Sequence, residues 1–165
     1  MKKYIITSLL LLFAVSSWNC EKDDICAETT PKTPKVIIDF YDIINQTELK
    51  NVTNLVIIEP SFNSGFSYNG VNTINIPLRT NQDTTTLQFI LNGSDNDTTN
   101  DIIDELTFNY ERNDVYISRA CGYKTLFQLN TPNGITTSSN NWIQNIEIIQ
   151  ANINNENETH VKIYF

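Results

Sequence analysis

One histidine, three cysteines and one acidic loop are the groups in this 165-residue chain whose types and spacing could do chemistry. A Ser-His-Asp triad would have to use His160, the sole histidine. Its strand parity sets it with Lys162 and Tyr164, opposite Val161, Ile163 and Phe165, and predicts a solvent-facing residue. Nothing in the chain resembles a nucleophile elbow. With five glycines in all, there is no glycine loop to cradle a phosphate. In the loop from Asn92 to Glu105, Asp95, Asp97, Thr99 and Asp101 alternate as calcium ligands do. The sixth and twelfth places of such a loop would hold glycine and a bidentate glutamate, and here they hold Asn100 and Leu106. A solvated loop of Asx turns is the expectation there. Trp142, in Asn140-Asn141-Trp142-Ile143, could stack on a sugar ring, but a core residue or a cap at one end of the fold is the expectation. Neither an enzyme nor a bound metal or cofactor is expected.

The elements that would carry these groups read as strands. Asn, Thr and Ile are abundant, a mixture of strand formers and turn formers. Val36, Ile38 and Phe40 alternate with Ile37, Asp39 and Tyr41. Val52 to Glu59 follows, ending at Pro60. Phe66 and Tyr68 close at Asn69-Gly70. Ile74, Ile76 and Leu78 alternate with Thr73, Asn75 and Pro77, and Pro77 marks an edge strand because it cannot donate to a ladder. Leu87, Phe89 and Leu91 end at Asn92-Gly93. One or two helical turns are expected near Asn100 to Glu105. Leu106, Phe108 and Tyr110 lead into a turn at Arg112-Asn113-Asp114, from which Val115, Ile117 and Cys121 return. Leu126 to Leu129 closes at Pro132-Asn133-Gly134. Ile143 to Ile153 and His160 to Phe165 form a last hairpin. Residues 36–165 are thus expected to be all-β: one immunoglobulin-like, antiparallel β-sandwich of about eight or nine strands.

The N-terminus reads as an address. Lys2 and Lys3 precede an apolar run, Tyr4 to Val15, too short to span a membrane comfortably. Ser16, Ser17, Trp18 and Asn19 lead to Cys20. This arrangement resembles a bacterial lipoprotein signal, which implies a signal peptide over 1–19, cleavage before Cys20 and acylation of that residue. Residues 20–35, with Pro31 and Pro34, are expected to form a lipidated tether. Lys22, Asp23 and Asp24 resemble the surface-export signal of Bacteroidota lipoproteins. With Cys20 acylated, Cys26 and Cys121 remain in an oxidising compartment and most simply pair. The sequence pI of about 4.5 argues against a nucleic-acid partner. Without Lys2 and Lys3 the formal charge moves from −8 to −10, so the lipid rather than the acidic body must supply membrane affinity. Asp83-Thr84-Thr85 and Asp97-Thr98-Thr99 resemble a short O-glycosylation motif of Bacteroidota exported proteins.

Several segments taken together carry a wider resemblance. They are Cys20 to Glu28, Ile37 to Asp42, Ser118 to Phe127, Asn141 to Ile146 and Glu158 to Phe165. They resemble a family of Bacteroidota envelope lipoproteins known only as a domain of unknown function. The resemblance implies an outer-membrane location, at the cell surface or the periplasmic face, and an outer-membrane barrel protein as partner. The expected function is non-catalytic: a lipid-anchored protein that binds or supports another outer-membrane component. The alternative is a glycan-binding accessory lipoprotein using Trp142 and exposed tyrosines.

Overall fold

A computed structural model describes residues 25–95 and 97–165. The expected signal peptide, Cys20, and the export-signal residues Lys22, Asp23 and Asp24 lie outside the described residues. The fold divides into two units. One contains 32–115 with 124–165, and the other joins the N-terminal segment through Pro31 to 116–123.

The larger unit is a β-sandwich whose strands follow the apolar alternation. Its strands, in chain order, are β1 (Val36–Tyr41), β2 (Leu55–Ile58), β3 (Phe66–Tyr68), β4 (Thr73–Ile76), β5 (Thr84–Leu91), β6 (Ile102–Ser118), β7 (Gly122–Leu129), β8 (Ile135–Thr137), β9 (Asn145–Ile148), β10 (Asn152–Ile153) and β11 (Val161–Tyr164). The ends of β6 and β7 run into the smaller unit. One sheet has the order β4-β1-β11-β9, and the other β10-β7-β6-β5-β2-β3 with β8 beside β6. Val36, Ile38, Phe40, Ile74, Ile76, Val161 and Ile163 from the first sheet share one core with Leu55, Ile57, Phe89, Leu106, Phe108, Phe127 and Leu129 from the second.

The fold class is the one the alternation predicts, with eleven strands among the described residues. One pairing departs from an antiparallel plan: β1 and β11 run parallel, with Ile38 opposite Val161 and Phe40 opposite Ile163. β4, followed by Pro77, lies at a sheet edge as expected, and the other sheet ends on the short strands β3 and β10. Turn chemistry explains part of the asparagine content. Asn54, Asn92 and Asn133 take φ of 51°, 69° and 72°, in the left-handed region that asparagine tolerates better than most residues.

Three local expectations are corrected. Arg112-Asn113-Asp114 is no turn, because β6 continues through it to Ser118 and the reversal falls at 119–121. The helical turn near Asn100 to Glu105 is instead the start of the same strand. The last hairpin is interrupted: β9 pairs with β11, while β10 between them crosses to β7 in the other sheet. The expected tether also ends earlier than Lys35. Thr33 Oγ1 accepts the Thr125 N–H at 3.0 Å, Pro34 is buried, and the Lys35 N–H donates to Glu156 at 2.9 Å.

Candidate functional site

Two places concentrate accessible side chains of functional type. The first is the smaller unit. Gly122 turns the β6–β7 hairpin with φ of 69°, where an L side chain would be strained. The Cys121 N–H donates to Ser118 Oγ at 3.1 Å across the same turn. Cys121 is bonded to Cys26 with their α-carbons 4.9 Å apart, so the expected disulfide is present. Tyr116 and Tyr123 stand edge to face on this tip, ring centroids 5.3 Å apart, and are 55% and 68% exposed. Ile25, next to the bridge, is 85% exposed. Chain alternation did not single out Tyr116 or Tyr123. A signal for them exists in their bracketing of Cys121 at five residues before and two after.

The second place is a polar groove of about 1050 Å³ in the sandwich, lined by Asp83, Tyr110, Arg112, Asp114, Gln128 and Asn130 among others. Three of its charged side chains, Asp83, Arg112 and Asp114, are already engaged, while Glu111 also lines it. Arg112 donates from Nε to Asp83 at 2.6 Å and from Nη1 to the Thr80 carbonyl at 2.6 Å. Asp114 accepts from Thr125 Oγ1 at 2.6 Å. The Tyr110 hydroxyl donates to the Arg79 carbonyl at 2.8 Å and lies 2.6 Å from Thr85 Oγ1. Burial raises its pKa above the ordinary tyrosine value, so it stays neutral. The lining offers hydrogen bonds, but His160 is not part of it.

The remaining candidates fall elsewhere. Trp142 is 5% exposed, the core position expected for it, and this corrects its alternative reading as a sugar-stacking ligand residue. Its ring lies against Phe40 and edge-on to Phe165, and Nε1 donates to the Phe89 carbonyl at 3.0 Å, so neither face is free for a ligand. A residue that sequence reasoning missed puts it there. Asp104, fully buried on β6, accepts the backbone N–H groups of Asn141, Trp142 and Ile143 at 2.7, 2.8 and 2.8 Å. The acidic loop is an Asx network: Asp95 accepts the Asp97 N–H, and Asp97 accepts both the N–H and the hydroxyl of Thr99. Those bonds hold the Asp97 carboxyl below its ordinary pKa. Thr84 and Thr98, the threonines of the two short glycosylation motifs, are exposed.

His160 is likewise corrected, from solvent-facing to fully buried. Its Nδ1 accepts the Ile37 N–H at 2.9 Å, which requires that nitrogen to be unprotonated, and its backbone N–H donates to the Ile37 carbonyl. Parity failed because His160 lies just outside β11, where its ring turns onto the Ile37 backbone instead of following the strand's alternation. Burial is the main cause that lowers its pKa, opposed by Glu158 and Glu156. A histidine with a depressed folded pKa contributes stability above its unfolded value, lost as pH falls below it. Wild type should therefore lose stability from about pH 7 towards pH 5 more steeply than His160→Gln, in urea unfolding at each pH. Parallel pH curves for the two proteins would rule this out.

A sandwich with no helix among its described residues and a disulfide-clamped hairpin tip places the chain among all-β proteins. Residues 50–165 match a family of unknown function, DUF6452, and the chain belongs to that family. No curated protein and no solved structure matches it.

Proposed function

We propose that this chain is a non-catalytic Bacteroidota envelope lipoprotein, anchored in the outer membrane through acyl chains on Cys20, that binds or supports another outer-membrane component. The observation that carries the reading is the Cys26–Cys121 disulfide, which links positions 95 residues apart and belongs to an oxidising compartment. It lies six residues beyond the cysteine that ends a lipoprotein-like signal. The engagement of Arg112, Asp83 and Asp114 and the burial of His160 favour a binding role over a catalytic one. The burial of Trp142 removes one of the aromatics on which the glycan alternative rested and leaves it to the exposed tyrosines.

Fractionation of cells tests the anchor. Cys20→Ser should move the protein from the membrane to the soluble fraction, since lipid supplies about 0.8 kcal/mol per buried CH₂. Sedimentation of that variant with membranes at high salt would instead mean docking onto a membrane protein. Crosslinking in membranes, followed by purification of the wild type, should yield a stoichiometric protein partner.

A further inference from the structure

We infer that the disulfide-clamped hairpin tip, with Tyr116, Tyr123 and Ile25, is a membrane-docking surface that rests in the lipid headgroup region beside the anchor. The inference deepens the anchoring reading and rests on it. Its first support is covalent length. Five residues separate Cys20 from Cys26, and a chain of that length spans at most about 20 Å. Acyl chains in the leaflet hold Cys20 at the headgroup level, and Cys26 is bonded to Cys121. The tip can therefore never leave the neighbourhood of the lipid surface, whatever else the protein does.

The second support is what the tip displays there. Ile25 is 85% exposed, and Tyr116 and Tyr123 are more than half exposed. Tyrosine has an apolar ring and a polar end, the combination that favours a membrane–water interface. The third support is charge. The sandwich carries seven cations against fifteen acids, a formal −8, whereas 25–31 with 116–123 carries Glu28 and Arg119 alone, and Glu21 to Asp24 ahead of it add a net −2. Anionic lipid repels the sandwich far more than it repels the tip. The disulfide is then the part that selects which surface meets the membrane. With it removed, the tie at Thr33 is 13 residues from Cys20, a reach of about 45 Å, and the tip is no longer confined.

The test uses the full mature lipidated chain carrying Tyr123→Trp. It is reconstituted into phosphatidylethanolamine–phosphatidylglycerol vesicles doped with brominated phosphatidylcholine. Mass spectrometry of the purified protein first reports whether Cys20 is acylated. The new indole should then show blue-shifted, bromine-quenched emission, while the buried Trp142, measured in the parent protein, is unquenched. Adding Cys26→Ser and Cys121→Ser should abolish the quenching with the lipid still attached. An acylated Tyr123→Trp protein whose added indole emits as it does in the soluble Cys20→Ser counterpart overturns the docking inference and leaves the tip to a protein partner. Quenching that persists without the disulfide overturns its selecting role. A wild-type chain with no acyl group overturns the anchoring reading, and this inference with it.

Discussion

Asp104→Ala should destabilise the protein by about 3–5 kcal/mol, as much as truncating a buried core aromatic. The carboxylate is fully buried, and its three partners are the consecutive backbone N–H groups of Asn141, Trp142 and Ile143. Hydrogen bonds to a charged group contribute about 1.5–3 kcal/mol each, and a buried donor left without an acceptor costs about 1–3 kcal/mol. Water can reach Asn141 after truncation more readily than the buried Trp142 and Ile143, so the total falls short of three full penalties. Asp104→Asn should cost less. Its carbonyl oxygen can still serve Trp142 and Ile143, but its NH₂ then faces the Asn141 N–H, donor against donor. Urea midpoints give the energies. Trp142 emission gives the mechanism, because loss of the carboxylate frees the segment that seats the indole between Phe40 and the Phe89 carbonyl. An Asp104→Ala protein within about 1 kcal/mol of wild type, its emission still blue, would show that packing alone seats Trp142.

Loss of the Cys26–Cys121 bridge should cost about 4–5 kcal/mol in the chain-entropy treatment, since it closes a loop of 95 residues. Measured losses for native bridges cluster at about 2–5 kcal/mol, so the double serine variant is expected within that span. Reduction of wild type and the Cys26→Ser, Cys121→Ser variant should agree, because both remove the same constraint. The slope of stability against urea should rise as well, because the unbridged unfolded chain expands and exposes more surface. A loss below about 1 kcal/mol with an unchanged slope would confine the bridge to ordering the hairpin tip.

The strands that were legible in the sequence are those with one face on the core and one in water. β1, β4 and β5 show this in their burial, which alternates strictly or nearly so. Where that asymmetry disappears, the reading failed. From Glu111 to Asp114 both faces of β6 are exposed, so Arg112-Asn113-Asp114 carries turn-like polarity while the backbone continues as strand. At the other end of β6, Ile102 and Ile103 are both exposed and Asp104 is buried, the inverse of the apolar rule. A carboxylate facing inward between two core-directed strands is intelligible only with its three distant N–H partners in place. The same applies to His160, whose partner Ile37 lies 123 residues earlier in the chain.

Composition and alternation thus sufficed for the all-β class and the edge position of β4 beside Pro77, and the pairing of Cys26 with Cys121 followed once the resemblance to a lipoprotein signal set Cys20 aside. These depend on local periodicity, on the missing proline N–H and on the thiols left beside a signal-like N-terminus, all of which are properties of the chain before it folds. The parallel pairing of β1 with β11, the Asp104 clasp on 141–143, the burial of Trp142 and His160 and the crossing of β10 to the second sheet came from the folded structure. Each joins segments far apart in sequence. A period of two tells which side of a strand is apolar, but what covers its other side, and which backbone groups a buried polar atom must satisfy, is settled when the sheets close on each other.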